Sequence, residues 1–260
     1  MTESFEPSAS DQSSEPPTAI VTGAAVRIGR AIALRLAASG ARVAIHYHTS
    51  AAEAEQTVAD CRAAGSPLAV AVPGDLAAAA DCAEIVATAH RELGTPTLLV
   101  NSAAIFEPGT LESTDADSWR RHLDINLAAP LWLSQAFARV CGERSQIVNI
   151  VDWRGEDQPP GHLAYTISKT GLVGLTRLLA RELAPSIRVN AIAPGPMLPP
   201  PGRDQSYLDR VAQGTLLQRS GSAGDIAEAV AYLVRATYVT GDVLHVTGGQ
   251  EYFASQPEGD

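Results

Sequence analysis

Seven short apolar runs punctuate this chain, at residues 19–21, 43–46, 68–72, 98–100, 147–151, 188–191 and 243–246, and helix-length stretches separate them. Strands that alternate with helices build repeated βαβ units, which set the strands parallel and cover the sheet on both faces. The expected fold class is therefore α/β: a single doubly wound domain with a seven-stranded parallel sheet and helices on both faces. Right-handed crossovers place its ligand crevice at the carboxyl ends of the strands.

At 260 residues the chain can bury one substantial core. It is 45% hydrophobic but only 5% aromatic, which suits alanine-rich helices packed closely on a sheet. Residues 1–17 are rich in Ser, Glu and Pro, with Phe5 their largest apolar side chain, and are expected as a disordered acidic tail. Residues 18–260 show no repeat, linker or second composition regime, and are expected as one domain. With 29 acidic against 19 basic residues the formal charge is −10, so the electrostatic footprint of a nucleic-acid partner is missing. Cys61, Cys82 and Cys141 lack the paired spacing of a zinc site or redox dithiol, and read as reduced thiols. No long apolar run and no basic, apolar leader is present, so a cytoplasmic protein with no membrane partner is expected.

The first run leads into Thr22-Gly23-Ala24-Ala25-Val26-Arg27-Ile28-Gly29 and then an amphipathic helix beginning near Ile28. A glycine-bearing turn at a helix start lets backbone N–H groups and the positive helix end approach a pyrophosphate. NAD-binding turns usually have an acid about 20 residues further on, to take the ribose hydroxyls. Here the second strand ends His46-Tyr47-His48-Thr49-Ser50, with no carboxylate to repel a phosphate. Arg27, His46, Thr49 and Ser50 are suited to the 2′-phosphate of NADPH. The histidines also read as ordinary strand-end residues, which leaves the missing acid unexplained.

Tyr165-Thr166-Ile167-Ser168-Lys169 opens a helical stretch to about Leu183, one turn separating the phenol from the ammonium. The lysine is expected to lower the tyrosine's pKa and make it a usable acid near neutral pH.

From Thr18 to about Gly249 the chain resembles the short-chain dehydrogenase/reductase family, which is Rossmann-like. The resemblance rests on Thr-Gly-x-x-x-x-x-Gly, Asp75-Leu76, Asn101-Ser102-Ala103-Ala104, Asn126, Tyr165 with Lys169, Pro194-Gly195, and Val246-Thr247-Gly248-Gly249. It implies that Asp75 contacts adenine and Asn101 steadies the central strands. It also implies that Asn126 holds a water in a proton relay to Lys169, and that Lys169 grips the nicotinamide ribose. Gly23, Ile28, Gly29, Leu76, Ala103, Pro194 and Gly195 complete the implied cofactor contacts. A homotetramer paired through helices around 126–141 and 163–183 is implied as well.

Two departures, with Phe106, narrow the substrate. Arg27 stands where most members have a third glycine, Asp152 stands where they have a serine thirteen residues before the tyrosine, and Phe106 follows the fourth strand. With His46-Tyr47-His48, these resemble the pteridine reductases and the bacterial dihydromonapterin reductases. Thr49, Met197, Pro199 and the Asn-Ser-Ala-Ala run differ from that pattern. A carboxyl desolvated at position 152 has its pKa raised, can share a proton with Tyr165, and can accept hydrogen bonds from an amino-pyrimidine edge. Arg27 is suited to bridge cofactor phosphate and ligand, and Phe106 to stack on a flat ring. Phe106 also reads as core packing, and Asp152 as a loop cap. The expected activity is NADPH-dependent hydride transfer to a dihydropterin C=N bond. The rivals are a carbonyl or imine reductase of another substrate and a catalytically silent NADP-binding protein. The proline-rich loop 194–202 and the segment to Arg219 are expected to form a lid.

Overall fold

The computed structural model describes residues 17–200 and 202–252, so the expected acidic tail lies outside the described residues except for Pro17. All seven expected strands form. In chain order the elements are β1 (Thr18–Val21), α1 (Arg27–Ala37), β2 (Arg42–Tyr47), α2 (Ala51–Ala63), β3 (Ala69–Pro73), α3 (Ala79–Leu93) and β4 (Leu98–Asn101). They continue as α4 (Ala116–Leu123), a π-helical turn (Asp124–Ala128), α5 (Ala129–Val140), β5 (Ser145–Ile150), α6 (Arg154–Asp157), α7 (Leu163–Glu182), β6 (Ile187–Pro194), α8 (Gln205–Ala212), α9 (Ala223–Arg235) and β7 (Val243–Val246).

The sheet runs β3-β2-β1-β4-β5-β6-β7, every pairing parallel. Successive side chains of a strand point to opposite faces, and here both faces are apolar. Ala19, Val21, Val43 and Ile45 join Ile32 and Leu36 of α1, Val58 of α2 and Val230 of α9 in one buried cluster. Ile20, Leu99 and Ile147 join Ile85 of α3, Leu133 and Phe137 of α5 and Leu179 of α7 in the other. Burying a side chain such as Ile20 or Phe137 contributes roughly 1.5–3 kcal/mol, so both helical layers are held by the sheet they cover.

Strand order reverses at β1, whose neighbours are β2 and β4. The loops leaving their carboxyl ends part there, which opens a crevice at that end. Among the described residues no helix is long and apolar enough to cross a membrane, and no group of three or more His, Cys, Asp or Glu could hold a metal ion.

Candidate active site

The turn after β1 is shaped by close backbone approach. Gly23 has φ +62°, and a Cβ added there would lie 2.9 Å from the Cα of Ala103 in the loop after β4. A Cβ at Gly29 would collide with the carbonyl of Gly23. The Thr22 hydroxyl oxygen accepts from the N–H groups of Ser102 (2.9 Å) and Ala103 (3.0 Å), tying the β1 turn to the loop after β4. α1 starts without a capping side chain and without an acid in its first turn, and Ile28 packs behind it on the core. Its leading N–H groups therefore suit an anion, as a pyrophosphate site requires.

Arg27 itself has φ +54°, the left-handed region that favours glycine. Its exposed guanidinium reaches over the crevice, Nη2 donating to the Pro199 carbonyl at 2.9 Å in the loop after β6. Tyr47 packs partly on the core, while His48 and Thr49 are exposed and Ser50 precedes α2 without a side-chain cap bond.

His46 is placed differently from a phosphate ligand. It is buried; Nδ1 accepts from the Gly23 N–H and Nε2 faces the Gly74 carbonyl, both at 3.2 Å. An amide can only donate and a carbonyl only accept, so the ring is the neutral tautomer with its proton on Nε2. Burial, with His48 nearby, takes its pKa down to about 4 against the raising effect of the Gly74 bond. Neither ring nitrogen is left for a 2′-phosphate. His46 instead braces the β1 turn against the end of β3. Beyond Gly74, Asp75 caps its own turn by accepting from the Ala77 N–H at 2.9 Å, and Leu76 is buried.

On the other side of the crevice, Tyr165 and Lys169 lie one turn apart on α7, both buried. The Tyr165 hydroxyl donates to Asp152 Oδ2 at 2.7 Å, while Asp152 Oδ1 accepts from the Arg154 N–H at 2.9 Å. Asp152 thus both caps its loop and meets the phenol. Burial raises the Asp152 carboxyl above its usual range, against opposing hydrogen bonds from the Arg154 N–H and Tyr165. Tyr165 departs from the expected lowering: burial first, then the neighbouring carboxyl, push its pKa well above the ordinary phenol value. The reason lies in what Lys169 touches. Its Nζ donates to the Ile150 carbonyl at 2.8 Å and stands 5.8 Å from the phenol ring's centre, so Asp152 and not Lys169 is the phenol's partner. Burial brings Lys169 itself down to about 8, partly offset by Asp152.

Asn126 sits in the π-helical turn, a local irregularity that recurs at functional sites. Its Oδ1 accepts from the Ile105 N–H (2.9 Å), and its Nδ2 donates to the Ile105 carbonyl (3.0 Å) and the Ser168 hydroxyl (3.1 Å). It thereby clamps the loop that carries Phe106. Asn101 donates to Asn149 Oδ1 at 2.8 Å, and Asn149 donates to Thr176 on α7 at 2.9 Å, joining β4, β5 and α7 across the buried centre. Phe106 lies edge-on to Tyr165, with centroids 4.7 Å apart and an interplanar angle of 84°. Pro194 ends β6; the Gly195 N–H donates to the Val246 carbonyl at 2.9 Å, and a Cβ there would lie 2.7 Å from Thr247.

The family model described as enoyl-(acyl carrier protein) reductase matches residues 23–251. The chain belongs to the short-chain dehydrogenase/reductase family. Among solved structures of that family, it is 35% identical to FolM alternative dihydrofolate reductase 1 from Brucella canis, complexed with NADP, with a TM-score of 0.86 covering 93% of this chain and 97% of that one. A short chain dehydrogenase from Burkholderia cenocepacia, in complex with NADP, is 34% identical with a TM-score of 0.85, covering 91% of this chain and 98% of that one. The 3-oxoacyl-[acyl-carrier-protein] reductase FabG of Staphylococcus epidermidis is 34% identical over 89% of this chain and 98% of its own length.

Within this short-chain dehydrogenase/reductase site, three residues carry contacts that sequence reasoning did not single out. Asn149 and Ser168 extend the amide networks of Asn101 and Asn126. His162, three residues before Tyr165, lies against Phe106. The only sequence signal for His162 is a polar aromatic side chain at the start of α7, which is common at solvated helix ends.

Proposed function

We propose that the protein reduces a dihydropterin-type C=N bond with NADPH, and that Asp152 bonded to Tyr165 is the device that makes this substrate its own. The fit of the nucleotide rests on the uncapped α1 start beside Gly23 and Gly29 and on the absence of an acid at the end of β2. Arg27, Thr49 and Ser50, with His48 nearby, would take the 2′-phosphate; the Gly23, Ile28 and Gly29 backbone would take the pyrophosphate. Asp75 and Leu76 would border adenine, Asn101 and Ala103 the central linkage, Tyr165 and Lys169 the ribose, and Pro194 and Gly195 the nicotinamide. When bound, the reduced nicotinamide supplies hydride.

The chain's own residues then manage the proton. A phenol whose pKa is raised stays protonated near neutral pH, so Tyr165 keeps a proton to give, and giving it requires neighbouring groups to offset the charge left behind. A tyrosinate 2.7 Å from a carboxylate would set two negative charges side by side, an arrangement that like-charge repulsion opposes. With its pKa raised, Asp152 is placed to take up a proton and return it to Tyr165 Oη as the phenol gives up its own, the 2.7 Å bond then running from carboxyl to phenol oxygen and the repulsion being removed. In the substrate complex the carboxyl oxygens, which accept from the Arg154 N–H and Tyr165 here, can also accept N–H groups from an amino-pyrimidine edge, as a serine hydroxyl cannot do in the same bidentate way. Lys169, held on Ile150, keeps positive charge behind the pair.

The Asp152–Tyr165 hydrogen bond is the observation that carries this reading, and the FolM relative supports it. The FabG relative favours a second reading, reduction of a carbonyl. NADPH oxidation measured against dihydropterins, dihydrofolate, quinones and ketones tests both. The expected result is a dihydropterin kcat/KM above that of every ketone; a ketone in first place would transfer the assignment to carbonyl reduction.

A further inference from the structure

The aromatic wall beside Tyr165 contains one ring that the proton chemistry leaves unused. His162 lies flat on Phe106, ring centres 4.3 Å apart and planes 13° from parallel. Phe106 in turn meets Tyr165 edge-on, so the three rings form a short ladder ending at the proton donor. The backbone beneath is fastened: Gly109 donates to the Gly161 carbonyl at 2.9 Å, and Leu163 donates to the Gly109 carbonyl at 2.8 Å. With one face backed and one edge against Tyr165, Phe106 still keeps 36% of its surface exposed.

Among the described residues the buried Nδ1 of His162 has no hydrogen-bond partner, so the contact the ring makes here is its stack on Phe106. Burial first, then the charges of Arg154 and His122, lowers its pKa to about 4, so the ring is neutral near neutral pH. A flat neutral ring pressed on another flat ring is a rigid backing.

We infer that His162 is a positioning residue for a flat heteroaromatic substrate: it fixes Phe106 so that the exposed surface of Phe106 stacks on the substrate ring beside Tyr165. The inference rests on the pteridine reading above. It names a second determinant of that specificity, independent of Asp152, that recognises the flatness of the ring instead of its amino-pyrimidine edge.

The test uses full-length enzyme loaded with NADP and a non-reducible probe, 2,4-diaminopteridine, titrated calorimetrically, alongside steady-state dihydropterin reduction. His162→Ala is expected to weaken probe binding and raise the dihydropterin KM by roughly three- to tenfold, the size of one aromatic contact, with kcat changed by less than about twofold. His162→Phe is expected to match wild type, because it keeps the backing ring. NADPH affinity and the KM for an aliphatic ketone should be unaltered in both variants. Wild-type probe affinity in His162→Ala would overturn the inference and leave the pteridine reading standing. A His162→Phe variant as weak as His162→Ala would overturn the stacking role, and loss of NADPH affinity in His162→Ala would reduce His162 to a structural residue. Wild-type enzyme that neither binds the probe nor reduces a dihydropterin would remove the pteridine reading and this inference together.

Discussion

Acid should loosen this protein through His46 before most of its carboxylates protonate. The ring is neutral in the folded state because burial holds its pKa at about 4, against 6.5 for an ordinary histidine. Where the folded pKa is the lower one, the unfolded chain takes up the proton first, so stability present above about pH 6.5 is lost as pH falls toward 4. The full difference corresponds to about 3 kcal/mol, and at about pH 5 to about 2 kcal/mol. Protonation would also turn Nδ1 from an acceptor into a donor facing the Gly23 N–H, opening the glycine turn after β1. Urea unfolding of cofactor-free protein near pH 7.5 and near pH 5, in wild type and His46→Gln, isolates the effect, since all other titrating groups are shared. The wild type should lose about 2 kcal/mol more than the variant across that interval. Equal losses would refute the buried neutral histidine.

NADPH should bind at least about tenfold tighter than NADH, and Arg27→Gly should shrink that gap while raising the unfolding free energy by about 1 kcal/mol, because glycine relieves the positive φ. Fluorescence titration and urea unfolding read the two effects, and an unchanged preference would remove Arg27 from the phosphate site. Tyr165→Phe should cost on the order of a hundredfold or more in turnover with NADPH affinity nearly intact, measured by single-turnover kinetics and titration. Turnover in the reductive direction should fall as pH rises past about 8, where Lys169 loses its charge and the proton-holding pair loses its electrostatic support; a flat profile there would contradict the assigned roles.

The seven strands were legible because a parallel sheet covered on both faces leaves short, nearly uninterrupted apolar runs, and residues such as Ile20 and Val21 bury opposite faces with equal completeness. Tyr165 and Lys169 stood out by their one-turn spacing and Asp152 by standing where the resembled family has a serine, and the structure brings the three together. His46 was not, since its role depends on two backbone groups, Gly23 N–H and Gly74 C=O, that only the packing of β1, β2 and β3 brings to its ring. The tyrosine's raised pKa was missed for a related reason. Helical spacing places Lys169 near Tyr165 but does not reveal that its ammonium is committed to Ile150 while a carboxyl from another loop takes the phenol. Asn126's clamp on Ile105 likewise needs the π-helical turn, which no local pattern announces.

The central claim, that Asp152 works with Tyr165 to select a pterin, is tested most directly by replacing that carboxyl with the serine more usual at its position. The kcat/KM of wild type and Asp152→Ser would be measured with NADPH on one dihydropterin and one ketone. Losing the carboxyl's proton and its contacts to the amino-pyrimidine edge should lower the dihydropterin value by roughly 2–4 kcal/mol in transition-state terms, while ketone reduction is preserved or improved. A serine variant that reduces the dihydropterin as fast as wild type would contradict the claim.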